Sequence, residues 1–169
     1  MEYHFDASLR EVPENLHDFK NGTQVLIIEC EKLHGLAKAR ALSKIGANQR
    51  IIGCLDESLQ YLLKAKKILQ QFPEYRLSFI NDLRIAQSLQ FGQNFEQAEE
   101  LYQALQLKAV SDPQLLDLLD YAHQHLGKNH FDTGAYDLAL IEFEKALKLR
   151  LAKEDHALIK SSEHAIAKT

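Results

Sequence analysis

Eight histidines run through the chain, and the densest group is His123, His125 and His130. Imidazoles hold zinc when two share a helix face and a third donor closes the site. His123 and His130, seven residues apart, share such a face. His125 points elsewhere, and no i, i+4 pair with a third ligand accompanies them. The two therefore read as packed, hydrogen-bonded side chains, and His156 and His164 are weaker candidates still. Cysteine chemistry requires a thiolate; Cys54 falls in a turn and reads as a neutral thiol, and Cys30 as a helix packing residue. There is no glycine-rich phosphate loop, no Gly-x-Ser-x-Gly and no Cys-x-x-Cys. These residues imply no enzyme, no metal and no cofactor. The side chains left with chemistry to perform are cations and aromatics, and what they can do depends on the elements that place them.

Composition bounds those elements. With 169 residues, 46% hydrophobic and 26% charged, the chain has the size of one domain or one compact array. No run approaches the roughly 18 apolar residues of a membrane span. The opening residues Met1-Glu2-Tyr3-His4-Phe5-Asp6 lack the basic-then-apolar order of a signal peptide. Two cysteines are too few for a disulfide framework and suit a reducing compartment, so a cytoplasmic protein without a membrane partner is expected. Only 7 Gly and 3 Pro, among abundant Leu, Ala, Lys, Glu and Gln, point to an all-α chain. Charge is uneven: residues 35–76 carry 8 basic and 3 acidic groups, between acidic segments on either side. The net charge of −4, without a basic face interleaved with aromatics, argues against nucleic acid.

An internal repeat organises the sequence. An apolar residue followed by a small one occurs as Ile45-Gly46, Ile85-Ala86, Leu126-Gly127 and Ile166-Ala167, at spacings of 40, 41 and 40. Twelve residues after each of the first three small residues comes another, Ser58, Ala98 and Ala139. Four further on stands a large one, Leu62, Tyr102 and Phe143. Seven after the first small residue are Gly53, Gln93 and Gly134, at the point where a turn belongs. The physics is a helical hairpin. Small residues let two backbones approach, large ones interdigitate, and glycine supplies a left-handed turn. One hairpin cannot bury its apolar face alone, so hairpins stack.

This pattern resembles the tetratricopeptide repeat (TPR) family. The third repeat carries the resemblance best, with Leu126-Gly127, Gly134, Tyr136, Ala139, Phe143 and Ala146-Leu147. The family's early tryptophan is replaced by Leu42, Asp82 and His123. The period of 40–41 exceeds the usual value of about 34. Longer repeats of this kind are similar to those of kinesin light chains and of bacterial TPR sensory and regulatory regions. The resemblance implies a right-handed α-solenoid of about three TPR hairpins in a single domain. A partial N-terminal repeat would occupy residues 1–34, three hairpins 35–152, and a C-terminal capping helix 153–169.

The paired helices are expected at 35–52 with 55–71, 74–91 with 94–108, and 113–132 with 135–151. Ser111 with Gln114, around Pro113, and Asn94 with Gln97 have the spacing of capping boxes. Upstream, a short helix over 13–20 is expected to break at Asn21-Gly22. Thr23 would then cap a second helix over 24–33 that buries Val25, Ile28 and Leu33. Downstream, 154–167 reads as an amphipathic helix with Leu158, Ile159, Ala165 and Ile166 on one face. It falls where a fourth repeat would start, so it is either a cap or the edge of a longer array. Its polar residues Lys153, Glu154, Asp155, Lys160, Ser161, Ser162 and Glu163 would form the polar outer face of a cap and favour that reading.

In TPR proteins the first helix of each hairpin lines a concave groove. By resemblance the groove positions here are Arg40, Lys44 and Arg50 in repeat one. They are Arg84, Gln87 and Phe91 in repeat two, and Tyr121, Gln124, Lys128 and Phe131 in repeat three. Five cations would then face one acid, Asp132. Cationic donors beside aromatics suit an acidic peptide or protein segment. The resemblance thus implies a non-enzymatic interaction module that binds a protein or peptide in its groove. The alternative is a sensory region of a larger bacterial signalling protein, binding a small effector or mediating dimerisation. The chaperone-tail carboxylate clamp is not matched, because Ser43 and Ala47 stand where it needs Lys and Asn.

Overall fold

A computed structural model of the chain describes residues 2–169. Met1, the first residue of the expected partial repeat, lies outside them. A two-stranded antiparallel hairpin opens the chain, β1 (Tyr3–Phe5) with β2 (Glu11–Pro13), in the register Tyr3↔Pro13, His4↔Val12 and Phe5↔Glu11. Helices α1 (Leu16–Glu31), α2 (Gly35–Ile51), α3 (Leu55–Leu69) and α4 (Tyr75–Phe91) follow. Then come α5 (Phe95–Ser111), a 3-10 turn (Leu116–Leu118), α6 (Leu119–Asp132), α7 (Tyr136–Lys153) and α8 (His156–Lys168). The described chain is all-helical apart from the hairpin, and within each of its two compact units consecutive helices pack on one another, consistent with a helical-repeat arrangement.

The chain divides into two compact units, Met1–Gln93 and Asn94–Thr169. In the first, α1 packs on α2, α2 on α3 and α3 on α4, while α2 and α4 also lie side by side. In the second, α5 packs on α6, α6 on α7 and α7 on α8.

The small residues of the repeat sit where backbones meet. A Cβ added to Gly46 would lie 2.5 Å from Leu62 Cγ and 3.0 Å from the Ser58 carbonyl oxygen. At Gly127 it would lie 2.6 Å from the Phe143 ring and 3.2 Å from the Ala139 carbonyl oxygen. In both hairpins the small residue of the first helix thus faces the small and large residues spaced 12 and 16 further on. Leu62, Ala139 and Phe143 are fully buried. The turn positions behave as a set: Gly53 (φ 85°), Gln93 (φ 62°) and Gly134 (φ 78°) all adopt the left-handed conformation. Glycine enters that region at no steric cost and glutamine does not.

Helix boundaries match the expected pairs to within a few residues, except ahead of α6, where a 3-10 turn precedes a helix that begins only at Leu119. The N-terminal reading needs correction. One uninterrupted helix, α1, replaces the two expected, and Asn21-Gly22 lie inside it. Its cap is Asn15, whose side chain accepts from the backbone N–H groups of His17 and Asp18. Thr23 is buried and donates its hydroxyl to the Phe19 carbonyl. Val25 and Ile28 are exposed, and Phe19 and Cys30 take the core positions instead. A glycine costs a helix interior about 1 kcal/mol, an amount that burying Phe19 outweighs. The two capping boxes also differ from expectation. The Gln114 amide is held by Asp112, with Ser111 bonding back to the Lys108 carbonyl. Asn94 sits at the start of α5 without a side-chain cap bond to it.

Candidate functional site

Helices present residues three and four apart on one face. On α2 this places Arg40 and Lys44 together, both exposed, with Ser43 and Arg50 on the side toward α4. Arg84 on α4 donates from Nη1 to Ser43 Oγ at 2.9 Å and is half-buried. Desolvation by burial lowers its pKa, the neighbouring Arg50 charge lowers it further, and Tyr3 partly offsets both. Gln87 is buried, and Phe91 is half-buried at the end of α4.

Arg50 is the centre of the arrangement. It is 3% exposed. Its guanidinium grips Glu11 of β2 in a forked pair, Nη1 to Oε2 at 2.8 Å and Nη2 to Oε1 at 3.1 Å. The same guanidinium lies 4.4 Å from the centroid of the Phe91 ring, and Arg10 lies 4.9 Å from that centroid. Two cations thus lie against one aromatic ring, and the chain's own Glu11 carboxylate pairs with one of them through two charge-assisted hydrogen bonds. Arg50 Nε is buried and has no hydrogen-bond acceptor.

The expectation of five groove cations facing a single acid therefore needs correction. Arg50 is already paired, and its acid comes from residue 11, inside the segment read as a partial repeat. No local pattern announces that contact, because 39 residues separate the partners. A forked pair of Arg and Glu is directional, but it is visible only once the hairpin has folded back onto α2 and α4.

In the second unit the expected groove positions have other duties. Gln124 is buried, and its Oε1 accepts from Arg150 Nη1 at 2.9 Å and from Ser162 Oγ at 2.7 Å. Arg150 and Lys153 both lie over the Tyr121 ring, with Cζ and Nζ 5.7 and 5.6 Å from its centroid. Lys128 is buried, and Phe131 meets Tyr136 edge to face at 5.4 Å between centroids. Arg150 also donates to Asp120, at 2.8 Å from Nε to Oδ2, and to Ser162 and the Leu158 carbonyl. Lys153 reaches the other Asp120 oxygen and the Asp117 carbonyl. This polar network ties α8 to α6 and α7, so Gln124 is committed inside the fold, and Ser162, expected on the outer polar face of α8, is instead buried because it bonds Arg150 and Gln124.

The histidines of α6 are structural in their contacts. His123 Nδ1 lies 2.7 Å from Glu142 Oε2, and Gln106 Nε2 lies 2.8 Å from the same oxygen. One carboxylate oxygen thus accepts from both side chains, and Lys145 pairs with the other oxygen. Burial pushes the Glu142 carboxyl up, but the bonds from His123, Lys145 and Gln106 outweigh it and hold the group down at about 2. His125 stacks on Tyr102 at 6.3 Å, and His130 is buried.

A concavity lies among α1, α2 and α3, apart from the Arg50–Phe91 cluster, with a volume of about 480 Å3. Ile27, Leu42, Ile45 and Ile68 form its apolar floor, and Lys38, Lys64 and Lys67 stand around it against one acid, Glu31.

Comparison with family models returns no match, and comparison with curated proteins and with solved structures returns none either. Among the described residues no helix is long and apolar enough to cross a membrane.

Proposed function

We propose that the chain is a non-enzymatic, cytoplasmic interaction module of the tetratricopeptide type, a right-handed α-solenoid that binds an acidic protein segment. The observation that carries this reading is the cluster of Arg50, Arg84 and Phe91 on the adjacent helices α2 and α4, with a carboxylate in a forked bond to Arg50. Exposed Arg40 and Lys44 extend the positive surface along α2. Arginine forks select carboxylates by geometry, and the ring beside them gives an apolar neighbour a surface to cover.

The test is a peptide array probed with the labelled chain at low and high salt. Acid-rich peptides with an adjacent apolar residue should be captured at low salt and released at high salt, because exposed charges are screened over about 8–10 Å. Arg40→Glu with Lys44→Glu should abolish capture without changing helicity, since both side chains are exposed. Arg84 is unsuited to that reversal, because it is half-buried and bonded to Ser43. Capture that ignores both salt and the double reversal contradicts the reading.

The lysine-edged concavity of about 480 Å3 favours a second reading, a regulatory region that binds a small anionic effector. A thermal-shift screen of small carboxylates, with Lys38→Glu as control, separates the two.

A further inference from the structure

The hairpin of β1 and β2 sits on the proposed binding face with the chemistry expected of that face's partner. It is an extended segment, it presents a carboxylate, Glu11, to Arg50, and it runs over Phe91 through Arg10. As a sheet it is minimal. Each strand is three residues long, β1 is exposed throughout, and two strands alone are marginal in water. The connecting turn is organised by Asp6, whose Oδ1 accepts from the Ser8 and Arg10 amides at 2.8 and 2.9 Å. Within that turn Leu9 is forced to φ 60°, a left-handed conformation that a branched side chain resists. Leu9 is nonetheless buried, so an apolar anchor joins the Arg50–Glu11 pair in seating the turn against backbone strain. Arg50 Nε is buried and has no acceptor while Glu11 occupies the fork, so the resident carboxylate leaves one donor of the guanidinium unused.

We propose that residues 2–14 are a resident intramolecular ligand of the Arg50–Phe91 site, which an acidic segment must displace before it binds. This rests on the reading of that face as a carboxylate-recognition surface. The site would then exist in a closed state, with Glu11 on Arg50, and an open state that accepts a partner carboxylate in its place. The apparent affinity for any partner falls by the fraction of chains that are open.

The test uses the full chain and a labelled synthetic peptide of residues 2–14, titrated by fluorescence anisotropy. Glu11→Lys in the protein sets its own hairpin against Arg50 and opens the site. The peptide should bind this variant at least about tenfold more tightly than the wild type. A peptide carrying the same Glu11→Lys change should not bind. Equal affinity for wild type and variant, or no binding to a variant that keeps its helical circular dichroism, overturns the proposal. If Glu11→Lys fails to fold, Glu11→Gln serves with amide exchange as the readout. Exchange over residues 3–13 should then accelerate while α2 and α4 stay protected, and unchanged hairpin protection overturns the proposal. An outcome in which the chain's own peptide binds in this way but no unrelated acidic peptide does leaves the resident-ligand proposal standing and removes the proposed function.

Discussion

Gln93 occupies the turn position that glycine holds in the other two repeats, and it adopts the same left-handed backbone as Gly53 and Gly134. A side chain there costs about 1–2 kcal/mol of local strain, partly offset because glycine loses more entropy on folding. Gln93→Gly should therefore raise stability by about 0.5–1 kcal/mol, measured as a higher urea midpoint at unchanged slope. Glu142 gives a pH-dependent counterpart. Its carboxyl is held at about 2 in the fold against an ordinary value of 4.5. A depressed carboxylate contributes stability above the unfolded value and loses it as pH falls. Stability should thus decline from about pH 4.5 toward pH 2. Glu142→Gln should flatten that decline and cost about 1–3 kcal/mol at neutral pH, since hydrogen bonds to a charged acceptor are lost. Chemical denaturation across that pH range checks both.

At the scale of elements, legibility followed sequence distance. Gly46 with Ser58 and Leu62, and Gly127 with Ala139 and Phe143, lie within single hairpins, so spacing alone exposes them. Gly127→Ala tests that register. Helix propensity favours alanine by about 1 kcal/mol, yet its Cβ would sit 2.6 Å from the Phe143 ring. A net loss of about 1–3 kcal/mol is expected, and a gain in melting temperature would contradict the hairpin geometry. The α1 boundaries were misread because Thr23 and Asn21-Gly22 look like a cap and a break in isolation, whereas Phe19 and Cys30 are buried on both sides of them. The hold on α8 was also hidden. Arg150, Asp120, Gln124 and Ser162 come from three helices, and no periodicity links them. Deleting residues 154–169 removes the Ser162 and Leu158 partners of Arg150 and uncovers the face of α7. The truncated chain should lose cooperative unfolding or aggregate, as calorimetry or light scattering would show. An equally stable soluble product would make α8 a dispensable appendage.

For the whole molecule, charge separates the two units. Residues 1–93 carry 12 basic and 11 acidic groups, and residues 94–169 carry 8 and 13. The basic balance lies in the unit that holds Arg50, Arg84 and Phe91, so an acidic partner would be steered to that unit although the chain as a whole is acidic. The candidate site was half legible in the sequence. Arg40, Lys44, Arg50, Arg84 and Phe91 were expected from repeat position, whereas Glu11 entered only through folding of the N-terminal hairpin. The most direct test is a nuclear magnetic resonance titration of the full chain with a short synthetic peptide of alternating glutamate and leucine. Binding as described here shifts the side-chain Nε–H resonances of Arg50 and Arg84 and the amides around Phe91. The amides of residues 3–13 should move in the same concentration range as the hairpin is displaced. Shifts confined to other faces, with Arg50 and the hairpin unmoved at saturation, would contradict the account.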